Sequence, residues 1–336
     1  MSKRNKRNMP EDFEAPVPAW AADWVGSAQS LTSGFFAIQG DLNQPFMQWA
    51  KSALHDVDFA PELVEQAQFT DQESIVNNVY IAYWRDDNHK NWWGNPAVSE
   101  WWAGDERLNE GVGYWRETFN IPVDRFETLL STPNSHGVAN LAENLEGPVP
   151  EHAYPGAARD RIPVSTAEDL TGPEKVDSSN VVSIVSDDGK RIRLTPPEKM
   201  CVIRSGQDWG HCETQERDFY LNEVHPTLIE GMTYLTENAA ESRCLSMRLM
   251  QNTDENQNKL EQTFGLGYAL DIFAFEEWAK SHPTHLKIFG TFMGHAEQFA
   301  ENMQLRLWHE VSVLQKNAGE LEYINCHQKT GLLPYC

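Results

Sequence analysis

The spacing of apolar residues divides the chain into elements before any chemistry is considered. Gly34-Phe-Phe-Ala-Ile-Gln-Gly40 reads as a strand, and residues 44–55 behind it as a helix. Val79-Tyr-Ile-Ala-Tyr-Trp84 is a second β-rich run, followed by a helix carrying Trp92, Trp93, Trp101 and Trp102. Residues 113–119 and 125–130 have strand character. From 132 to 200 the pattern fades. Pro, Gly, Asn, Asp and Ser punctuate this stretch, with one short β-like run at 181–185 and a turn at Asp188-Gly189. It reads as a connector that crosses the surface and can contribute to a site.

The second half repeats the plan. A strand at 200–204 leads into a helix over 216–238, whose apolar positions Phe219, Leu221, Val224, Leu228 and Met232 recur at helical spacing. Strands are expected at 244–250 and 263–273, then a long helix over 275–303 interrupted or kinked near Pro283. Two last strands fall at 304–314 and 321–327. A faint internal repeat accompanies this order: Tyr114-Trp115-Arg116-Glu117 in the first half matches Leu307-Trp308-His309-Glu310 in the second. The fold class that follows is α+β, two fused ferredoxin-like modules. The boundaries are a disordered tail over 1–20, a first module over 21–131, an irregular connector over 132–199 and a second module over 200–336.

Composition narrows the function classes. With 40% hydrophobic residues and twelve tryptophans in 336 residues, the chain can bury a large core or a pocket for a flat ligand. A formal net charge of −23 disfavours a phosphate backbone or an anionic membrane as partner, and leaves a neutral small substrate unopposed. No run of 18 apolar residues exists. The start, MSKRNKRNMPEDFEAP, is basic without an apolar stretch behind it, so it is not read as a secretory signal. Five cysteines without CxxC spacing argue against a disulfide framework or zinc site, and a cytoplasmic location is the expectation.

No phosphate-binding glycine loop and no G-x-S-x-G elbow occurs, so the histidines carry the chemical interest. His282 and His285 are three apart and can share a helix face. Without a third ligand they are poor zinc candidates, whereas haem needs one protein ligand only. His309 lies mid-strand, on the face of Leu305, Leu307, Val311 and Val313. An imidazole among aliphatics is costly unless it is paired or useful, and a hydrogen-bonded core histidine is the plainer explanation. Ser205 at a strand end, the pair Arg159 and Arg161 in the connector, and Glu127 between apolar residues are further candidates. A loop start, a solvated charge cluster and a surface carboxylate are their plainer explanations. From the residues alone, the expectation is a duplicated α+β protein with a buried-face histidine and candidate haem or metal ligands; no reaction follows.

Several segments then carry a resemblance. Ser281-His-Pro-Thr-His-Leu-Lys-Ile-Phe289, Leu307-Trp-His-Glu-Val-Ser-Val313, Tyr323-Ile-Asn-Cys-His327 and Thr330-Gly-Leu-Leu333 resemble the haem-containing aldoxime dehydratases. So do Ile203-Arg-Ser-Gly-Gln-Asp-Trp209, Arg125-Phe-Glu-Thr-Leu129 and the stretch 152–165, all in one order over residues 80–333. The resemblance implies dehydration of an alkyl or aryl aldoxime, R–CH=N–OH, to a nitrile, with the oxime nitrogen on ferrous haem b. It implies His285 as the proximal haem ligand, with His282 as the rival, and His309 as the distal acid and base. It further implies Ser205 as the hydrogen-bond partner of the oxime hydroxyl, and Arg161 (rather than Arg159) with Glu127 as supporting pocket residues. The family's fold is of the dimeric α+β-barrel type with a haem pocket, and a homodimer is expected. An oxidative haem enzyme (peroxidase-like or chlorite dismutase-like) and a non-catalytic haem carrier are the competing expectations.

Overall fold

The computed structural model describes residues 8–186 and 188–336. Its first half runs β1 (Ala21–Asp23), β2 (Ser30–Gln39), α1 (Gln44–His55), β3 (Leu63–Thr70), β4 (Val76–Arg85), α2 (Asn88–Trp93), α3 (Pro96–Ala103), β5 (Gly113–Pro122) and β6 (Phe126–Leu130). The middle holds β7 (Asn144–Glu146), α4 (Ala157–Arg161), β8 (Val182–Val185) and β9 (Arg191–Thr195). The second half opens with β10 (Cys201–Asp208), α5 (Thr214–Phe219), a π turn over Tyr220–Val224, α6 (His225–Glu237) and α7 (Ala239–Ser242). It closes with β11 (Cys244–Thr253), β12 (Lys259–Ala269), α8 (Ile272–Ser281), α9 (Pro283–Phe299), β13 (Arg306–Val313) and β14 (Gly319–Ile324).

The architecture is mixed α and β around one large antiparallel sheet. Among the described residues twelve strands pair in the order β6-β13-β10-β12-β11-β3-β4-β2-β5-β14-β9-β8, while β1 and β7 form a separate ribbon. In the first half the four strands lie β5-β2-β4-β3, and in the second β13-β10-β12-β11. Numbered by appearance, both are fourth, first, third, second. The two groups join through their second strands, β3 and β11, by pairs such as Gln68 with Gln251.

Side chains alternate across this sheet, so each strand feeds two different layers. One face turns inward as the sheet curls, and residues of both halves, Phe35, Trp115, Val202, Phe264 and Trp308 among them, share one core. Curling brings strands far apart in the sheet into contact. The hydroxyl of Tyr83 on β4 donates to Glu310 on β13 at 2.7 Å. Arg204 on β10 donates to the Tyr83 oxygen at 2.9 Å and pairs with Glu65 on β3 at 2.6 Å. The mirror arrangement is Glu117 on β5, which accepts from Arg248 at 2.7 Å, Tyr323 at 2.6 Å and Tyr268. Helices cover the other face. Over the first half they pack Trp49, Trp84, Trp92 and Trp102 against Phe36 and Phe46 in a closed layer.

Several boundaries differ from the expectation. The helix with four tryptophans is two, because Asn95 caps Ala97 and Pro96 opens α3. The strand expected to reach residue 273 stops at Ala269, because the Asp271 carboxylate accepts from the Ala274 N–H and starts α8. The interruption expected near Pro283 is present, with α8 and α9 divided at His282 and Pro283 in the first turn of α9, but α9 stops at Phe299, short of the expected 303. β3 goes unpredicted, since Glu65, Gln66 and Gln68 interrupt its apolar pattern. The short run expected at 181–185 is β8, and besides it the connector contains α4, β7 and β9; β9 and β8 extend the sheet beyond β14. The expected disordered tail, 1–20, meets a different arrangement over 8–20. There the backbone N–H groups of Asn8 and Met9 donate to Asp160, Phe13 packs edge-on against Tyr154, and Trp20 bridges to Leu130. Hydrogen bonds to a carboxylate offset the entropy lost. Residues 1–7 lie outside the described residues.

Glu310 yields a stability prediction. Burial pushes its carboxyl up to about 7, with Arg204, the Val138 N–H and Tyr83 opposing. Above the unfolded carboxylate range, about 4.3, the folded chain therefore binds more protons than the unfolded chain, and stability falls as pH rises toward 7. Glu310→Gln removes that proton exchange. Melting temperatures should drop between pH 5 and pH 8 by a few degrees more for wild type than for the variant; parallel slopes would refute the assignment.

Candidate active site

Over the second half the helical layer does not close on the sheet. A cavity of about 430 Å³ remains between α6, α8 and α9 on one side and β12, β10, β13 and β6 on the other. That volume is in the range of small-molecule and cofactor sites. The sheet wall owes its composition to strand register. Gly265, Ser205, His309 and Leu129 stand opposite one another on four neighbouring strands, and therefore on one face. The next row contains Gly267, Ile203, Val311 and Glu127. Glycines keep this wall low: a Cβ at Gly267 would come within 2.5 Å of the Met247 methyl and 3.0 Å of the Phe275 ring.

The structure brings His309, Arg161 and Glu127 together. Arg161, at the end of α4, donates from Nε to Glu127 Oε2 at 2.8 Å, and its Nη2 lies 2.9 Å from His309 Nε2. Glu127 Oε1 lies 3.1 Å from the same His309 nitrogen. When Nε2 is protonated it donates to Glu127, and when it is bare it accepts from Arg161. Burial alone would raise the Glu127 carboxyl, but Arg161 and His309 outweigh it and hold it below the usual carboxylate value. The carboxylate is therefore ionised at neutral pH. Ser205 is the direct cross-strand neighbour of His309 and also lines the cavity. Arg159, two residues from Arg161, faces elsewhere and pairs with Glu276 at 3.0 Å.

Across the cavity from this group stands His285, in the first turns of α9. Its ring meets the Trp278 indole edge-on at 4.7 Å, and that indole is fixed by a 3.0 Å hydrogen bond from Nε1 to Thr284. Burial holds the imidazole below the ordinary histidine value against an opposing backbone contact with Ala279, so it is neutral near pH 7. Its Nδ1 is buried and makes no side-chain hydrogen bond of ordinary geometry. His282 is placed differently. It caps α9 by accepting from the Thr284 N–H, stacks on Tyr234 at 3.7 Å, and is not part of the cavity wall. Among the described residues no group of three His, Cys, Asp or Glu side chains could hold a bare metal ion.

Sequence reading passed over some of the wall. His152, which enters the sequence reading only as the first residue of the stretch 152–165, is buried and lines the cavity, and Trp278 lines it too. Nothing in the spacing around His152 signals this, because it reaches the site from the connector, distant in sequence from the rest of the wall. Within the site a prediction follows from the ionised Glu127. Glu127→Gln keeps a hydrogen-bond partner for Arg161 but removes the charge that balances a protonated His309. Turnover should fall on the order of 10²-fold with cofactor content unchanged; a fall below about threefold would show that the charge is not used.

Comparison with known proteins agrees over nearly the whole chain. The model of a family described as haem-containing dehydratase matches residues 28–332. Phenylacetaldoxime dehydratase of Bacillus sp. (strain OxB-1) is 35% identical, covering 98% of this chain and 94% of that protein. Aliphatic aldoxime dehydratase of Pseudomonas chlororaphis is 34% identical, covering 97% and 93%. A crystal structure of an aldoxime dehydratase in complex with butyraldoxime superposes with a TM-score of 0.91 at 31% identity, covering 99% of this chain and 94% of the other.

Proposed function

The chain belongs to the haem-containing dehydratase family, and from that premise we propose that it dehydrates an alkyl or aryl aldoxime, R–CH=N–OH, to a nitrile and water. The observation that carries this reading is the opposition of one neutral histidine, His285, to a hydroxyl and an acid–base histidine, Ser205 and His309, across an apolar cavity.

The residues fit a haem. His285 is a neutral imidazole held by an indole, as a proximal ligand must be, and the flanking surfaces, such as Ile203, Val311 and Phe275, are apolar. His285 would hold the group, and bound there as ferrous haem b it would supply an electron-rich iron toward the oxime nitrogen that weakens the N–O bond. The remaining work belongs to the chain. Ser205 holds the oxime oxygen by a hydrogen bond beside His309. Protonated His309 gives its proton to that oxygen as the N–O bond breaks, so water leaves instead of hydroxide. The neutral ring then takes the proton from the substrate carbon, the C≡N bond is completed, and the histidine is restored. Because Glu127 and Arg161 offer Nε2 a partner in either state, the ring changes charge with little rearrangement around it. The apolar walls exclude bulk water and suit a hydrophobic R group.

Two structural readings accompany this one. Each half reads as a ferredoxin-like module of the dimeric α+β-barrel type, supported by the shared strand order and by the reciprocal Tyr83–Glu310 and Tyr268–Glu117 contacts. A homodimer in the cytoplasm is the accompanying proposal; among the described residues no helix is long and apolar enough to cross a membrane.

The test is an absorption spectrum of the dithionite-reduced protein before and after phenylacetaldoxime, with nitrile measured afterwards. A Soret band that shifts with the oxime and nitrile that accumulates are expected. A haem spectrum with peroxide turnover and no nitrile would move the assignment to an oxidative enzyme.

A further inference from the structure

His152 stands on the turn before α4, nearly fully buried in the cavity wall. Its ring ties two stretches of chain together. Nδ1 lies 2.9 Å from the carbonyl oxygen of Val149, and Nε2 lies 2.6 Å from the carbonyl oxygen of Val17. Both partners can only accept a hydrogen bond, while a neutral imidazole has one N–H to give. One end of a neutral ring would therefore set a nitrogen lone pair against a carbonyl oxygen in a buried place, an arrangement that folded chains avoid. A ring with both N–H groups satisfies both carbonyls, and does so with charge-assisted bonds.

Two parts of the site depend on that ring. Pro16, Val17, Pro18 and Ala19 form a strap along the cavity, fastened by His152 at Val17 and by the Val149 N–H, which donates to the Ala19 carbonyl at 2.8 Å. The neighbouring Glu151 carbonyl accepts from Nη1 of Arg161, whose other nitrogens hold Glu127 and His309. We propose that His152 is a positioning residue whose ring carries both N–H groups, clasping the strap to the 149–152 turn and thereby setting the cavity wall and the backbone anchor of Arg161. The proposal rests on the reading of Arg161 given under the proposed function. The ionisable groups around the clasp are Glu151 on its own turn and Tyr154, Asp160 and Arg161 on or beside α4. Tyr154 donates to Asp160 at 2.9 Å, and Arg161 is committed to Glu127. The strap between Pro16 and Ala19 has no ionisable side chain.

The clasp is tested on the reduced, carbon monoxide-bound haem protein labelled with 15N-histidine. His152 resonances are identified by their loss in His152→Phe, or in His152→Gln should the first variant not fold. Two protonated ring nitrogens at neutral pH are expected; a single protonated nitrogen overturns the proposal. Kinetics give the second arm. Per haem bound, His152→Gln should lower kcat/KM about tenfold, the worth of one charge-assisted hydrogen bond. Unchanged kcat and KM per haem would reduce His152 to a packing role and overturn the positioning claim. Should wild type form no nitrile at all, the resonances still decide the clasp, so failure of the dehydratase reading is seen separately.

Discussion

His309→Ala is expected to keep its haem and lose at least about 10³-fold in nitrile formation, within the 10²–10⁴ that a positioned acid–base group contributes. The separation of the two effects follows from geometry. His309 stands on the sheet wall beside Ser205, and His285 stands across the cavity on α9, so removing the first leaves the second in place. Two events of the proposed reaction use the same ring, delivery of a proton to oxygen and removal of one from carbon, and alanine can do neither. The cavity left behind admits water, which restores proton exchange but not its placement. Turnover within about tenfold of wild type, with a full Soret band, would show that another group transfers the proton. Ser205→Ala should cost less, because a hydrogen bond is lost and the acid–base group stays.

Much of this frame was legible in the sequence, because strand alternation and helix periodicity report which face is buried. The weak repeat proved more informative than its faintness suggests. Trp115 and Trp308 both sit on the inner face of the fourth strand of their half, and Glu117 and Glu310 both take a tyrosine hydroxyl from the opposite half. The position between them separates the halves: it is Arg116 in one and His309 in the other. Arg116 is committed to Glu320 and Glu322 and lies over the Trp93 ring at 4.2 Å. Its cross-strand neighbour is Phe36, where the second half has Ser205. Phe36 is enclosed by Trp49, Trp84, Trp92 and Trp102 with ring centroids 5.5 to 6.3 Å away. One frame thus occurs twice, filled with indoles in the first half and open in the second. The tryptophans that suggested a pocket for a flat ligand chiefly fill the half without the cavity.

What stayed hidden has one physical cause. Partnerships between distant segments leave no local signal. Glu127, Arg161 and His309 are separated by 34 and 148 residues, and their hydrogen bonds exist only once β6, α4 and β13 have met. Each looked separately like a solvated charge or a core histidine. The half-polar β3 escaped notice for the same reason, since Glu65 is placed there to meet Arg204 from the other half of the sheet.

The strongest expected loss is that of His285. On the proposed assignment the haem would be held by one metal–nitrogen bond, that to His285, with apolar side chains around it. His285→Ala should therefore purify nearly free of haem, and His285→Gly should regain a Soret band when free imidazole is supplied, because the deleted ring leaves room for it. His282→Ala is the control that makes the test specific. Its ring caps α9 and stacks on Tyr234 outside the cavity, so its removal should cost about 1 kcal/mol of helix stability and leave the haem-to-protein ratio near wild type. The two histidines are three residues apart on one motif, so the comparison isolates which way the ring points. Haem retained in His285→Ala and lost in His282→Ala would reverse the assignment of the ligand.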